Sequence, residues 1–478
     1  MEVKNLFEIT PILDSQKEDP VYMQLYRYLK NEIQSDTIPP HSKLPSQRKL
    51  AEHLSLSRNT VNAAYQQLLA EGYIRSEERK GLFVEDIKHE LYLDKNINAV
   101  NAEILDNNCK NSEHQSSEIF YDFKYGEIDL KHFPFKLWSQ LTMKSIFAEQ
   151  GQLLLYGDPQ GDLDLRKQIT KYLFESRGVK CSEHQIIIGA GTQYLMSMLC
   201  KIIGKEYTYG MEDPGYNRVR IVLKEYGKAV QPIPLDNYGV DIKALTSSEV
   251  RAVFVTPAHQ FPLGIVMPLQ RRLDLIQWAK DTEGYIIEDD YDSEFRYEGK
   301  PIPALQSLDQ YEKVIYMGTF AKSLIPSLDF SYMVLPRPLL AKYHDKYIGY
   351  KQTVSRQHQY TLKLFMESEQ WARHLNKVRN VYKKRHNALI TSIKASMNNQ
   401  VRIMGLGAGL HIVLEPRNDM SEQELIEAAK QNGVLVYPVS TFYEQIPALK
   451  YPQVLLGFAG LDEKRIQEGV KLLAKAWF

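Results

Sequence analysis

The sequence predicts a two-part chain: a small helix-turn-helix unit with a terminal β-hairpin, then a large α/β domain with a mostly parallel sheet. Three observations lead there. Residues 19–84 hold three short helical patterns in close succession, followed by an alternating segment. From about residue 119, helical patterns alternate with short apolar runs at 186–188, 252–255, 285–287 and 314–317. Strands separated by helices imply crossover connections and a largely parallel sheet. Between the two parts, residues 86–118 carry many Asn, Asp, Glu and Lys and no glycine or proline, the composition of a solvated linker. The expected boundaries are therefore 1–85, 86–118 and 119–478. After about residue 340 a long helical stretch gives way to strand–helix units ending at 462–477, which predicts a smaller C-terminal lobe.

Composition narrows the function classes. A chain of 478 residues exceeds one core of ordinary size. No run of about 18 uncharged apolar residues occurs, so a membrane span is not expected. The start, MEVKNLFEIT, lacks the basic flank and apolar run of a signal peptide. Cys109, Cys181 and Cys200 show no CxxC spacing; neither a disulfide framework nor a metal site is expected, and the cytoplasm is the expected compartment. Formal net charge is zero, so any nucleic-acid contact has to come from a local face.

In the N-terminal part, Asp19-Pro20 reads as a helix start. Tyr22, Leu25, Tyr26, Leu29 and Ile33 follow at the spacing of one apolar helical face. IPPHSKLPS interrupts the pattern, and Ser46 can cap a second helix carrying Arg48. Ser57 can cap a third, with Val61, Ala64, Tyr65 and Leu68 inward. Arg58, Asn59, Asn62 and Gln66 then share the outer side. Arginine bonds guanine edges and Asn or Gln bonds adenine, so this stripe suits major-groove readout. YIRSEERKGLFVE alternates like a hairpin with Lys80-Gly81 at its tip. Residues 21–84 hold nine Lys and Arg against six Asp and Glu, an excess too small to decide the matter alone.

In the C-terminal part, QIIIGAGTQYLMSMLC (185–200) reads as strand, glycine turn and helix, with free N–H groups at the helix start suited to an anion. GYIIEDDYDSEF (284–295) is a strand ending in carboxylates and a tyrosine. KVIYMGTFAKSLIPSLDFSYM (313–333) is a strand followed by a lysine. Each taken singly is an ordinary arrangement.

Two resemblances join these pieces. PVYMQLYRYLKNEI, LPSQRKLAEHLSLSRNTVNAAYQQLLAEGYI and GLFV are similar to the GntR-type winged helix, which implies that Arg48, Ser57, Arg58, Asn59, Thr60, Asn62, Lys80 and Gly81 contact double-stranded operator DNA. The C-terminal motifs resemble fold-type I pyridoxal-phosphate enzymes of the aspartate aminotransferase kind. That resemblance implies Lys322 as the amine that condenses with the cofactor aldehyde, Asp289 at the ring nitrogen and Tyr291 at the ring oxygen. It also implies Tyr216 stacked on the ring, Gly191, Thr192 and Gln193 at the phosphate, Thr319 as a further cofactor-binding residue, and Tyr156 reaching in from a neighbouring subunit. The fusion of the two is the mark of the MocR subfamily of GntR regulators, and the similarity is strongest toward its GABA-responsive members. It implies a homodimer and a small amine or amino-acid effector held by Arg218.

Three positions depart from the family pattern. Seven residues after the lysine, where the family has an arginine on the phosphate, stands Asp329; the serine before the lysine is Ala321. Losing a charge-assisted hydrogen bond costs about 1.5–3 kcal/mol, so pyridoxal phosphate should bind at least about tenfold more weakly. The second carboxylate-gripping arginine is replaced by Gly460, which points away from GABA as effector. Three readings stay open: a regulator that senses the cofactor or its amine adducts, an aminotransferase with a DNA-binding appendage, and a regulator that has abandoned pyridoxal phosphate.

Overall fold

The computed structural model describes residues 9–11, 13–14, 19–77, 80–86, 120–204, 206–297 and 302–478. The expected linker, apart from Asp86, lies outside the described residues. The chain divides into two compact units, Met1–His114 and Gln115–Phe478. Among the described residues no helix is long and apolar enough to cross a membrane.

The first unit is built on three helices, α1 (Val21–Gln34), α2 (Gln47–Leu54) and α3 (Arg58–Ala70). Leu25, Tyr26, Leu29 and Ile33 of α1 are buried together with Val61, Ala64, Tyr65 and Leu68 of α3. Tyr22 departs from the expected face and is exposed, because the core closes one turn further along. Asp19 does not cap α1: Pro20 stands at the cap position and offers no side-chain bond, while the Asp19 carboxylate pairs with Arg27. Ile9, from a segment without any apolar pattern, is buried in this core. Ser46 and Ser57 do cap α2 and α3, accepting from the N–H groups of Lys49 (3.4 Å) and Thr60 (3.1 Å) and so satisfying donors that the helix starts leave open. Strands β1 (Ile74–Glu77) and β2 (Gly81–Val84) pair antiparallel from Ile74↔Val84 to Glu77↔Gly81. This hairpin is the wing.

The second unit begins with β3 (Tyr121–Asp122). Its main sheet contains β4 (Ile186–Ala190), β5 (Thr208–Asp213), β6 (Val230–Asp236), β7 (Gly239–Val240), β8 (Val250–Val255), β9 (Tyr285–Asp290), β10 (Val314–Thr319) and β11 (Phe330–Val334). The order across the sheet is β4-β11-β10-β9-β8-β5-β6-β7. The strands are parallel except β11 and β7. Apolar residues pack on both faces, as near-continuous apolar strands require. A long helix, Gln370–Met397, leads to the smaller lobe, a four-stranded sheet of β12 (Val401–Met404), β13 (His411–Pro416), β15 (Tyr437–Pro438) and β16 (Val454–Gly457). The short β14 (Val434–Leu435) pairs with β3.

The position of β11 governs the site. It runs antiparallel between β4 and β10 and pairs Phe330 with Ala190. The residue before Phe330 is thereby brought beside the residue after Ala190, which are Asp329 and Gly191. Helix α4 (Gly191–Ile203) starts at that point.

Candidate functional site

Two sites, one in each unit, carry the chemistry. On the first unit Arg58, Asn59 and Gln66 are exposed along α3, with Thr60 and Asn62 half-buried. Gln47 Nε2 donates to Asn62 Oδ1 at 2.8 Å, which fixes the Asn62 carboxamide and turns its NH₂ group away from Gln47. The pattern of the sequence did not reveal Gln47 as a partner. Ser57 and Thr60 share a hydroxyl hydrogen bond of 2.8 Å at the start of α3. Arg48 is paired with Glu52 (2.9 Å) and Lys80 with Glu77 (3.2 Å). Exposed pairs of this kind contribute little, so a phosphate can displace either carboxylate. Gly81 has φ +119°, and a β-carbon there would stand 3.0 Å from the Lys43 side chain. Glycine is therefore required at the wing tip.

In the second unit a cavity of about 660 Å³ opens at the carboxyl ends of β4, β9 and β10, where ligands of open α/β sheets bind. Lys322, Asp289, Tyr291, Tyr216, Gly191, Thr192, Gln193, Thr319 and Arg218 all line it. Asp289, next to the end of β9, is buried, and its carboxyl is pushed up to about 8, chiefly by burial and then by Asp290, Asp292, Glu212 and Glu288. A carboxylate in such company is costly unless a cation faces it. Burial pushes the Lys322 ammonium down to about 8, with Arg218 acting in the same direction and Asp292 opposing. Its Nζ lies 4.4 Å from the centre of the Tyr125 ring. An amine that loses its proton this near neutrality is a nucleophile.

Tyr291 donates its hydroxyl to the His259 carbonyl (2.9 Å) and lies 3.0 Å from His259 Nδ1. Asp292 holds that same nitrogen at 3.1 Å. His411 completes a buried group whose ligand atoms lie within 4.8 Å of one another. Its Nε2 bonds the Pro262 carbonyl at 2.9 Å, so the group acts as a hydrogen-bonded support for Tyr291. The sequence patterns singled out neither His259 nor Tyr125, and Asp292 stood in GYIIEDDYDSEF only as one of its carboxylates. Tyr216 meets Phe261 edge to face, 5.7 Å between ring centres. Tyr156 is not in this cavity. It is 87% exposed and lies against Lys351, whose Nζ is 4.7 Å from its ring centre.

The ring end of the cavity fits pyridoxal phosphate: an amine of lowered pKa, and a buried carboxyl suited to a protonated ring nitrogen. The phosphate end does not. The Asp329 carboxylate lies against Gly191 at the start of α4, its Oδ1 2.6 Å from where a glycine β-carbon would be. A phosphate seated there meets a carboxylate of like charge.

Residues 120–473 match the aminotransferase class I and II family, and residues 21–84 match the gntR family of bacterial regulatory proteins. The chain is thus a helix-turn-helix transcriptional regulator carrying an aminotransferase-like domain. It belongs to the family of the MocR-type regulators. The uncharacterized HTH-type transcriptional regulator YdeL of Bacillus subtilis (strain 168) is 42% identical, over 98% of this chain and 99% of its own length. The probable rhizopine catabolism regulatory protein MocR of Rhizobium meliloti is 33% identical, over 98% of this chain and 95% of its own. A Pyrococcus horikoshii kynurenine aminotransferase shares the fold at 23% identity and TM-score 0.66, covering 82% of this chain and 96% of that one.

Proposed function

We propose that the aminotransferase-like domain is a sensor and not a catalyst, and that its ligand state sets how the winged helix engages operator DNA. Lys322 is the group that captures the ligand, and Arg218 anchors an effector carboxylate. The observation that carries this reading is a cavity that keeps its amine and ring-end carboxyl while Asp329 and Gly460 stand where the family grips phosphate and substrate. Turnover needs a firmly held cofactor and an anchored substrate; sensing needs only binding. When bound, pyridoxal phosphate supplies an aldehyde for the lysine and an electron-accepting ring, but Asp329 holds it weakly.

We assign the active form to a homodimer. Ile146, Phe147, Leu154, Leu155 and Tyr156 form an exposed apolar stretch of the kind that marks an association surface. Two winged helices would then meet two half-sites. The DNA contacts are Arg48, Ser57, Arg58, Asn59, Thr60, Asn62, Lys80 and Gly81, and the working compartment is the cytoplasm.

The test is fluorescence anisotropy with DNA from upstream of the protein's own gene, with and without candidate amines, amino acids and aldehydes. Wild-type protein should bind this DNA and change affinity with ligand. Lys322→Ala should bind equally and fail to respond. A full response in Lys322→Ala would remove the lysine from the sensing role, and steady transamination by wild type would restore the enzyme reading.

A further inference from the structure

We infer that the ligand captured by Lys322 is a carbonyl compound that carries no phosphate or other anion at the end that faces Asp329. This rests on the reading of Lys322 as the capturing amine and adds the chemical class of what is captured.

The charges lining the cavity are Lys124, Arg218 and Lys322 against Glu127, Asp289 and Asp329. They balance without any ligand, whether Lys322 and Asp289 are both charged or both neutral. A phosphate ester brings close to two further negative charges, and the start of a helix offsets about half of one.

One side-chain donor near the start of α4 is spent locally. Thr319 donates its hydroxyl to the Phe330 carbonyl (3.1 Å) and accepts from the Ala321 N–H (3.1 Å). Ala321 has no hydroxyl to offer. Asp329 is an acceptor at the point where the phosphate ester would have to be received, held there by the Phe330↔Ala190 register. A hydroxyl or ammonium donor satisfies that acceptor; an anion does not. At the other end Asp289 still calls for a basic nitrogen on the ligand.

The capture step needs no further reagent. The neutral Lys322 amine attacks the carbonyl carbon, the carbonyl oxygen leaves as one water with the two protons that the amine nitrogen gives up, and a C=N bond replaces the C=O bond. Nothing is oxidised or reduced, and the reverse reaction frees the ligand.

The experiment titrates full-length protein with 5-deoxypyridoxal and with pyridoxal phosphate. The former has a methyl group where the latter has its phosphate ester, and it cannot close on itself as pyridoxal does. Binding is followed by visible absorbance, and borohydride reduction with peptide mass mapping locates the adduct. Wild type should modify Lys322 with both, and should hold 5-deoxypyridoxal at least about tenfold more tightly. Asp329→Arg should reverse the order. Asn accepts the left-handed backbone of position 329 readily, so Asp329→Asn serves as the milder variant and should bring the two ligands toward equality. Equal or tighter binding of pyridoxal phosphate by wild type would overturn this inference alone. Failure of both aldehydes to modify Lys322, with operator binding intact, would overturn the capture role and this inference with it.

Discussion

The Oδ1 atom of Asp329 lies 2.6 Å from the point at which a β-carbon on Gly191 would stand, and Gly191 has φ +79°. Both facts restrict position 191 to glycine. A left-handed backbone costs a non-glycine residue about 1–2 kcal/mol, and the carboxylate contact adds to it. Gly191→Ala should therefore lower stability by about 1–3 kcal/mol in urea unfolding. Shortening the neighbour in Asp329→Gly should recover part of that loss, with a coupling of at least about 0.5 kcal/mol in the double-mutant cycle. Strict additivity would mean that the two residues do not press on each other.

Asp289 gives a pH signature. Its carboxyl is raised from 3.8 to about 8 in the folded protein, mainly by burial. Between those values the folded state keeps a proton that the unfolded state has lost, so this group makes stability fall as pH rises from about 4 to 8. Asp289→Asn removes the effect. The variant should be more stable than wild type by over about 1 kcal/mol at pH 8.5, and the gap should shrink steadily toward pH 4. The comparison is made by denaturant unfolding without ligand. A gap that widens on acidification would contradict the assignment.

What the sequence disclosed divides along the range of the interactions. Ser46 and Ser57 were legible as caps because a cap is settled within three residues. The apolar runs at 186–188, 252–255, 285–287 and 314–317 fall inside β4, β8, β9 and β10, since a buried strand announces itself by unbroken apolar residues. The substitution at Asp329 was visible, yet its seat against Gly191 was not, because the antiparallel register of β11 against β4 joins positions far apart in the chain. His259 and Asp292 are 33 residues apart and meet only through the fold. Ile9 escaped notice for want of any periodic neighbour, and Asp19 misled because the preferred cap chemistry lost to its ion pair with Arg27.

Two kinds of contact are expected of the proposed DNA-reading face. Arg58→Ala should cost about 1–3 kcal/mol of operator affinity and relax sequence preference, whereas Arg48→Ala should weaken all sequences alike and reduce the salt slope by about one. Gln47 supplies a finer test, because its 2.8 Å bond orients the Asn62 carboxamide. Gln47→Ala should relax preference at the base read by Asn62 and leave the salt slope unchanged. Binding to a panel of single-position operator variants at several salt concentrations distinguishes the three. Unaltered preference in Gln47→Ala would show that Asn62 reads no base.

Restoring the missing effector anchor needs more than one substitution. Gly460 is exposed, and a β-carbon on it would stand 2.9 Å from Cβ of Glu127, a residue that lines the cavity. An arginine introduced at 460 therefore meets a carboxylate before it meets any ligand, and their attraction would hold the guanidinium aside. Gly460→Arg alone should change amino-acid binding by less than about threefold. Combined with Glu127→Ala, which frees the guanidinium and also releases Lys124 from its 3.6 Å pairing, it should tighten binding of an ω-amino acid by about tenfold or more, equivalent to 1.4 kcal/mol. Isothermal titration of the two single variants and the double variant measures this directly. A tenfold gain from Gly460→Arg alone would show that Glu127 does not compete for the new charge. No gain in the double variant would show that position 460 does not face the ligand.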